Sequence, residues 1–239
     1  FDYIDTWTWN GRMWRERDSE HPLGLTAPGY YKYGSGAAMA FDSSSDMVVM
    51  HQSYPKFGQF YHGQTWGWNG AAWSLLHEWS AADAAQSGGI WNAPGPDSYA
   101  TMANDPDVGR VILSGGWDSM KGADLWSWEA GDWKKIFLSE EGITPPTTDG
   151  RHLVYDQARQ VMVLFLRNSA KTGPDVWEFD GSQWVHFAEA EGVGEVWPSF
   201  PGPAAYDPVR KRILIYASSP FAAPGYEPLF EWDGTSWTS

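Results

Sequence analysis

Few residues in this chain have the type and spacing that chemistry requires. The six histidines, His21, His51, His62, His77, His152 and His186, show neither His-x-His nor His-x-x-x-His spacing, so no metal-binding pair is set up. There is no Cys, which removes disulfides, a thiol nucleophile and thiolate ligands. A glycosidase needs two carboxylates a few ångströms apart. Asp97, Asp118, Glu140 and Asp175 are available for that role, but their spacing pairs none of them. Asp42 and Asp46 bracket a Ser-rich turn; a Ca2+ site there is the alternative to an Asp capping its own turn, which is the expectation. Gly34-x-Gly36 and Gly115-Gly116 lead into no helix, so they read as turn glycines, not a phosphate cradle. The sequence therefore predicts no catalytic set, no metal and no cofactor.

The stronger chemical signal is aromatic. Trp79, Trp91, Trp117 and Trp197 stand apart from a repeated Trp motif, in long stretches that also hold Tyr54, Phe57, Phe60, Tyr61, His62, Phe221 and Tyr226. Indole and phenol rings suit stacking on the apolar C–H faces of sugars, whose hydroxyls need polar neighbours such as Asp118 beside Trp117 or Asn92 beside Trp91. The predicted ligand-binding residues are Trp79, Trp91, Trp117, Asp118, Trp197, Tyr54, Tyr61, His62 and Tyr226. Aromatic residues are equally enriched at protein interfaces, so a protein subunit and a glycan are both open as partners.

The elements that position these residues come from two repeats. The first is Trp7-Thr8-Trp9-Asn10-Gly11-Arg12-Met13-Trp14, with later copies at 66–73, 126–133, 177–184 and 230–237. Its pattern is aromatic, any, aromatic, Asn/Asp-Gly, any two, Trp. Alternating aromatics around Asn-Gly or Asp-Gly predict a hairpin. A two-residue loop would pair Trp9 with Arg12 and set the first aromatic, Trp7, opposite Trp14. In the third copy Gly131 stands one place later, which predicts a longer turn. The second repeat is a small or apolar strand, an Asp-led turn and a continuous apolar run: Ala37–Asp42 with Met47–Met50, Ala100–Pro106 with Val111–Gly116, His152–Asp156 with Val161–Leu166, and Ala204–Pro208 with Ile213–Tyr216. Continuous apolar runs suit strands buried on both faces. The second repeat supplies strands a and b, the first supplies c and d, and the unit recurs at the spacing of a propeller blade. Only Ser80–Gln86 reads as helical.

These hairpins, with Gly115-Gly116 after one strand b and Arg151-His152 before one strand a, resemble bacterial kelch-type repeats over nearly the whole chain. The resemblance implies an all-β propeller of about five blades in one domain, 1–239. Residues 1–15 would form a half blade of strands c and d; 36–75, 99–135, 151–186 and 203–239 would form complete blades. It also bears on chemistry. A copper-radical oxidase on this fold requires a Cys-linked Tyr, which a chain without Cys lacks. Sialidase Asp-boxes separate Asp from Gly, whereas Asp180-Gly181 and Asp233-Gly234 are adjacent. Half a blade leaves strand edges open, so upstream residues or a neighbouring chain are expected to complete the ring. Residue 1 is expected to be a processed or truncated end.

With 16 Lys+Arg against 30 Asp+Glu and a net charge of -14, the chain lacks the basic surface that nucleic acid needs. No apolar run approaches the ~20 residues of a membrane span. The long b–c and d–a connections share one end of such a fold, and loops over a rigid scaffold are where binding residues gather. The short-turn end collects Arg110, Arg159, Arg210, Lys211 and Arg212, expected as a solvated rim. The expected function is a non-catalytic recognition or assembly module, secreted, periplasmic or on the cell surface, that binds a protein or glycan through its long-loop face. The alternative is a hydrolase or lyase acting on polysaccharide in the central funnel.

Overall fold

The computed structural model describes residues 5–17, 37–56, 59–80, 93–94, 100–115, 124–137, 143–146, 148, 150–167, 174–187, 202–216 and 229–238. They form an all-β propeller. A two-stranded half blade comes first, β1 (Thr6–Trp9) and β2 (Trp14–Arg17). Four antiparallel meanders follow. Blade 2 is β3 (Ala38–Asp42), β4 (Met47–Lys56), β5 (Gln59–Trp68) and β6 (Trp73–Ser80); blade 3 is β7 (Thr101–Asp105), β8 (Arg110–Ser114), β9 (Leu125–Glu129) and β10 (Asp132–Phe137). Blade 4 is β11 (Arg151–Asp156), β12 (Val161–Leu166), β13 (Asp175–Phe179) and β14 (Trp184–Phe187); blade 5 is β15 (Ala204–Asp207), β16 (Arg212–Tyr216), β17 (Leu229–Trp232) and β18 (Trp237–Thr238). The inner strands β3, β7, β11 and β15 pack in succession, as expected of strands carrying small residues near an axis. Of the predicted helix at Ser80–Gln86, Ser80 ends β6 and the remainder lies outside the described residues.

The aromatic hairpins differ from the expected register by two residues. Trp9 lies opposite Trp14, Trp68 opposite Trp73, Phe179 opposite Trp184 and Trp232 opposite Trp237, so the second aromatic, not the first, faces the last Trp. The cause is the Asn or Asp side chain. Asn10 Oδ1 accepts hydrogen bonds from the backbone N–H of Arg12 and of Met13, both 3.0 Å. Asn69, Asp180 and Asp233 cap their loops in the same way. The side chain thus imposes a four-residue loop in place of a two-residue one. The following Gly takes φ of 91 to 101°, a conformation that side-chain-bearing residues resist. The third copy inverts the expectation: Glu129 pairs directly with Asp132, leaving Ala130-Gly131 as a two-residue turn with both φ values positive. Without an Asx before the glycine, no side chain holds the loop open.

Every hairpin closes on a tilted ring pair, with centroids 5.0 to 5.6 Å apart. Such pairs stabilise by about 0.5–1.5 kcal/mol beyond area burial. The strand-d Trp also reaches the preceding blade. Trp73 Nε1–H donates to Thr6 Oγ1 and Trp133 Nε1–H to Thr65 Oγ1, each at 2.8 Å. The Trp237 ring lies 5.5 Å from that of Phe165. The cores accordingly sit between blades. One joins Val49, Trp79, Val111, Leu113 and Trp133; another joins Ile112, Leu125, Leu164, Trp177 and Trp184; a third joins Val163, Phe165, Ile213, Trp232 and Trp237.

Two substitutions test this account. Ala130→Gly removes a side chain held at a φ of 53° without supplying an Asx cap, and should raise the stability to urea by about 0.5–1 kcal/mol. Gly63→Ala would bring a Cβ to 2.1 Å from Trp79 Nε1, and should lower stability by about 1–3 kcal/mol. The same denaturation series reads both.

Candidate ligand-binding face

Blade 2 departs from the others at the end where the long connections lie. Residues 51–56 and 59–64, which the sequence places in a long b–c connection, instead extend the blade: β4 runs ten residues to Lys56 and β5 begins at Gln59, making a two-stranded arm. Three predicted site residues lie on it. Tyr54 is directly opposite His62 in the register, and Tyr61 precedes His62 on β5; their side chains lie outside the description.

Below the arm, blade 2 is polar inside. Gln64 Nε2–H donates to Glu78 Oε1 at 2.9 Å, and Trp66 Nε1–H donates to Gln64 Oε1 at 3.1 Å. One rung further in, Thr65 Oγ1 accepts the indole N–H of Trp133 and lies 3.1 Å from His51 Nδ1. The Trp133 ring meets the imidazole edge-on at 5.3 Å. His51 is fully enclosed, and its burial, with His77 nearby, pulls its pKa down to about 3. The ring is therefore neutral, and the Thr65 hydroxyl is hydrogen-bonded to its Nδ1 while it accepts the Trp133 indole N–H. Sequence reasoning passed over Thr65 and Gln64. A signal for Thr65 was present, since Thr6 and Thr65 both precede the first aromatic of their copies.

Trp79, also predicted as a ligand-binding residue, stands on β6, the last strand of the blade. It is buried, and packs its indole against Gly63 in the core between blades 2 and 3. Trp91, Trp117, Asp118, Trp197 and Tyr226 lie outside the described residues. Of the carboxylate candidates, Asp97, Asp118 and Glu140 also lie outside them.

Asp175 makes a His–carboxylate pair, its Oδ1 3.2 Å from His186 Nε2. Its surroundings mark it as packing. His186 stacks on Trp177 at 4.4 Å, and blade 3 repeats the arrangement with another cation: Lys135 lies 4.7 Å over Trp126 and donates to Asp124 at 2.8 Å. Both pairs sit on outer strands, away from the inner strands that flank the axis. No group of three or more His, Asp or Glu that could hold a metal occurs among the described residues, and Asp42 caps its own turn through Ser44 and Ser45.

At the opposite end the arginines are tied down. Arg110 faces Asp105 and Glu129, Arg159 binds Asp156 and Glu178, and Arg210 and Arg212 converge on Glu231. Inner hairpins are also linked between blades there. Tyr155 donates its hydroxyl proton to Asp107, and Tyr206 Oη accepts the Ala158 N–H. This end is a neutralised frame more than a bare cationic rim.

Comparison with solved structures defines the class as β-propeller. The chain is similar to a mutant of Aleuria aurantia lectin in complex with alpha-methyl-L-fucoside, at 14% identity and a TM-score of 0.58, over 98% of this chain and 68% of that one. It is similar to a Hadza microbial sialidase at 10% identity and 0.53, over 84% of this chain and 43% of that one. It is similar also to fructofuranosidase from Schwanniomyces occidentalis complexed with fructose, at 9% and 0.50, over 90% and 47%. The chain thus spans less than half of the two enzymes' lengths. At these identities the likeness is one of fold. No family model matches the chain and no curated protein does, so the kelch resemblance rests on the residues alone.

The buried imidazole gives a pH prediction. His51 titrates near 6.5 when unfolded and about 3 when folded. Between those values the unfolded chain binds a proton that the folded chain excludes, so stability falls as pH drops through the interval. His51→Phe installs the residue type found at the matching position of β12, Phe165. Its unfolding free energy should vary less between about pH 7 and 4 than that of the parent. An unchanged slope would mean that His51 is hydrated.

Proposed function

We propose that this chain is a non-catalytic recognition module that binds a glycan at the end of the propeller carrying the long connections, centred on the β4–β5 arm. The observation behind this reading is the arm itself. It is a paired extension of one blade that carries Tyr54, Tyr61 and His62 where the other blades' b and c strands have ended. A paired ribbon anchored on a polar interior positions rings more firmly than a free loop does. Trp91, Trp117, Asp118, Trp197 and Tyr226, which lie outside the described residues and which the sequence assigns to the long connections, would add stacking faces and a hydroxyl acceptor. The likeness to a lectin held with a fucoside, over nearly the entire chain, makes sugar recognition the leading use of this scaffold. Sugar binding also favours an exported location, at the cell surface, in the periplasm or outside the cell.

The polysaccharide hydrolase reading has less behind it. Of the two described His–carboxylate pairs, His186–Asp175 stacks on an outer-strand indole and recurs as Lys135–Asp124 in the preceding blade, and His77 lies 3.7 Å from Asp132 between outer strands, which suits packing in both cases. A protein ligand is the other possible occupant of the same face.

A glycan array followed by calorimetry on the hits tests the proposal. The Tyr54→Ala/Tyr61→Ala double variant should bind a hit about tenfold more weakly, equivalent to ~1.4 kcal/mol, with the thermal midpoint little changed. Wild-type affinity in the double variant would remove the arm from the site. Release of reducing sugar from a bound polysaccharide would establish the hydrolase instead.

A further inference from the structure

The first blade has an outer half and, among the described residues, no inner one. β1 pairs with β2 alone, whereas β5, β9, β13 and β17 each carry a second partner on the other edge. The effect on side chains is large. Trp9 and Trp14 are 52% and 61% exposed, while the matching Trp68, Trp128, Phe179 and Trp232 are exposed by 7% or less. In those four blades the second aromatic lies opposite Val48, Val111, Met162 or Ile213. The first lies opposite Met50, Leu113, Leu164 or Ile215. An apolar strand with residues at i and i+2 is therefore what covers this ribbon wherever the cover is present.

Two more surfaces point to the same vacancy. On β3, Met39 and Phe41 are about half exposed, whereas the matching Met102, Leu153 and Tyr155 are buried. Tyr155 reaches Asp107, in the inner turn of the preceding blade; Phe41 has no such turn before it among the described residues. At the other side of the gap, Tyr216 and Leu229 are paired across β16 and β17 and are 49% and 44% exposed. Their counterparts His51 and Thr65 in blade 2, and Phe165 and Val176 in blade 4, form the closed sockets that receive Trp133 and Trp237. Trp14 is thus a strand-d indole without a socket, and Tyr216 with Leu229 is a socket without an indole.

We propose that the vacant inner half of the first blade is a docking site for one β-hairpin of this chain's own inner type. Its return strand adds to the free edge of β1 and lays apolar residues beside Trp9 and Trp7. Its Asp-led turn and small-residue strand cover Phe41 and Met39. Completing the blade brings Trp14 onto Tyr216 and Leu229. A second copy of the chain fits less well. Its four inner hairpins are already built into blades, so among the described residues it can present Trp14 or the Tyr216–Leu229 pair but no strand for β1.

The test supplies the hairpin. Residues 150–167, the inner hairpin of blade 4, are appended to the carboxyl end of the chain through a flexible Gly/Ser linker. A control fusion carries Met162→Lys and Leu164→Lys in the appended copy only. The expected result is a monomer by sedimentation, with a thermal midpoint on the order of 5 °C above the control and a clear fall in acrylamide quenching of Trp fluorescence. Trp14→Ala should abolish most of that gain in the fusion, a larger loss than the ring pair with Trp9 costs the unfused chain. Equal midpoints and quenching in fusion and control would overturn the proposal. So would an unfused chain that already self-associates through Trp14, with the appended hairpin leaving that association intact.

Discussion

The structure depends on one contact, the indole of the strand-d Trp wedged between two blades. Each such ring closes its own hairpin by tilting against the second aromatic, and Trp73, Trp133 and Trp237 then reach the blade before theirs. Neither half alone would suffice. A ring pair on an isolated hairpin stabilises by about a kilocalorie per mole, and an isolated four-stranded sheet leaves both faces open. Joining the two functions in one side chain makes the cores lie between blades, where Trp133, Trp184 and Trp237 each belong to a shared cluster. The chemistry of the socket is free to vary. It is Thr65 with His51 in one place and Val176 with Phe165 in another, so the indole N–H is hydrogen-bonded in the first case and the ring packs on aromatic carbon in the second.

That freedom concentrates polarity in blade 2. Its Gln64 bonds Glu78 and Trp66, and its Thr65 separately bonds His51 and Trp133, where blade 4 has Phe165, Val176 and Leu166. A buried polar network is stabilising only while its members are satisfied, so it restricts register and orientation more than a greasy core does. The β4–β5 arm continues from this ordered base. The most specific geometry in the molecule therefore lies beneath the segment that carries Tyr54, Tyr61 and His62.

The sequence disclosed the architecture because the repeat is redundant: five aromatic hairpins and four Asp-turn hairpins each state the same local structure. It disclosed register less well. Asn-Gly serves both a two-residue turn and a side-chain-capped four-residue loop, and only the competition of Asn10 Oδ1 for the N–H groups of Arg12 and Met13 decides between them. Ala130-Gly131, with no Asx to compete, took the tighter turn. Residues 51–64 read as a loop because His51, Gln52, Gln64 and Thr65 break the apolar run. Their strand state comes from continued pairing with each other, which a one-dimensional pattern does not carry. Trp79 was assigned to a ligand because it stands outside the repeat; its burial follows from Gly63, whose missing side chain makes room for the ring.

The separation of the cores has a dynamic consequence. Because each cluster is shared by two neighbouring blades, cooperativity passes along the ring as a series of adjacent couplings, in the manner of a one-dimensional array. Amide protons on inner strands flanked by two intact interfaces, such as those of β12, should then exchange through larger and rarer openings than those of β1, whose hairpin is held by a single neighbour. The indole wedges thus set a gradient of local opening around the molecule, and the half blade stands at its loosest point.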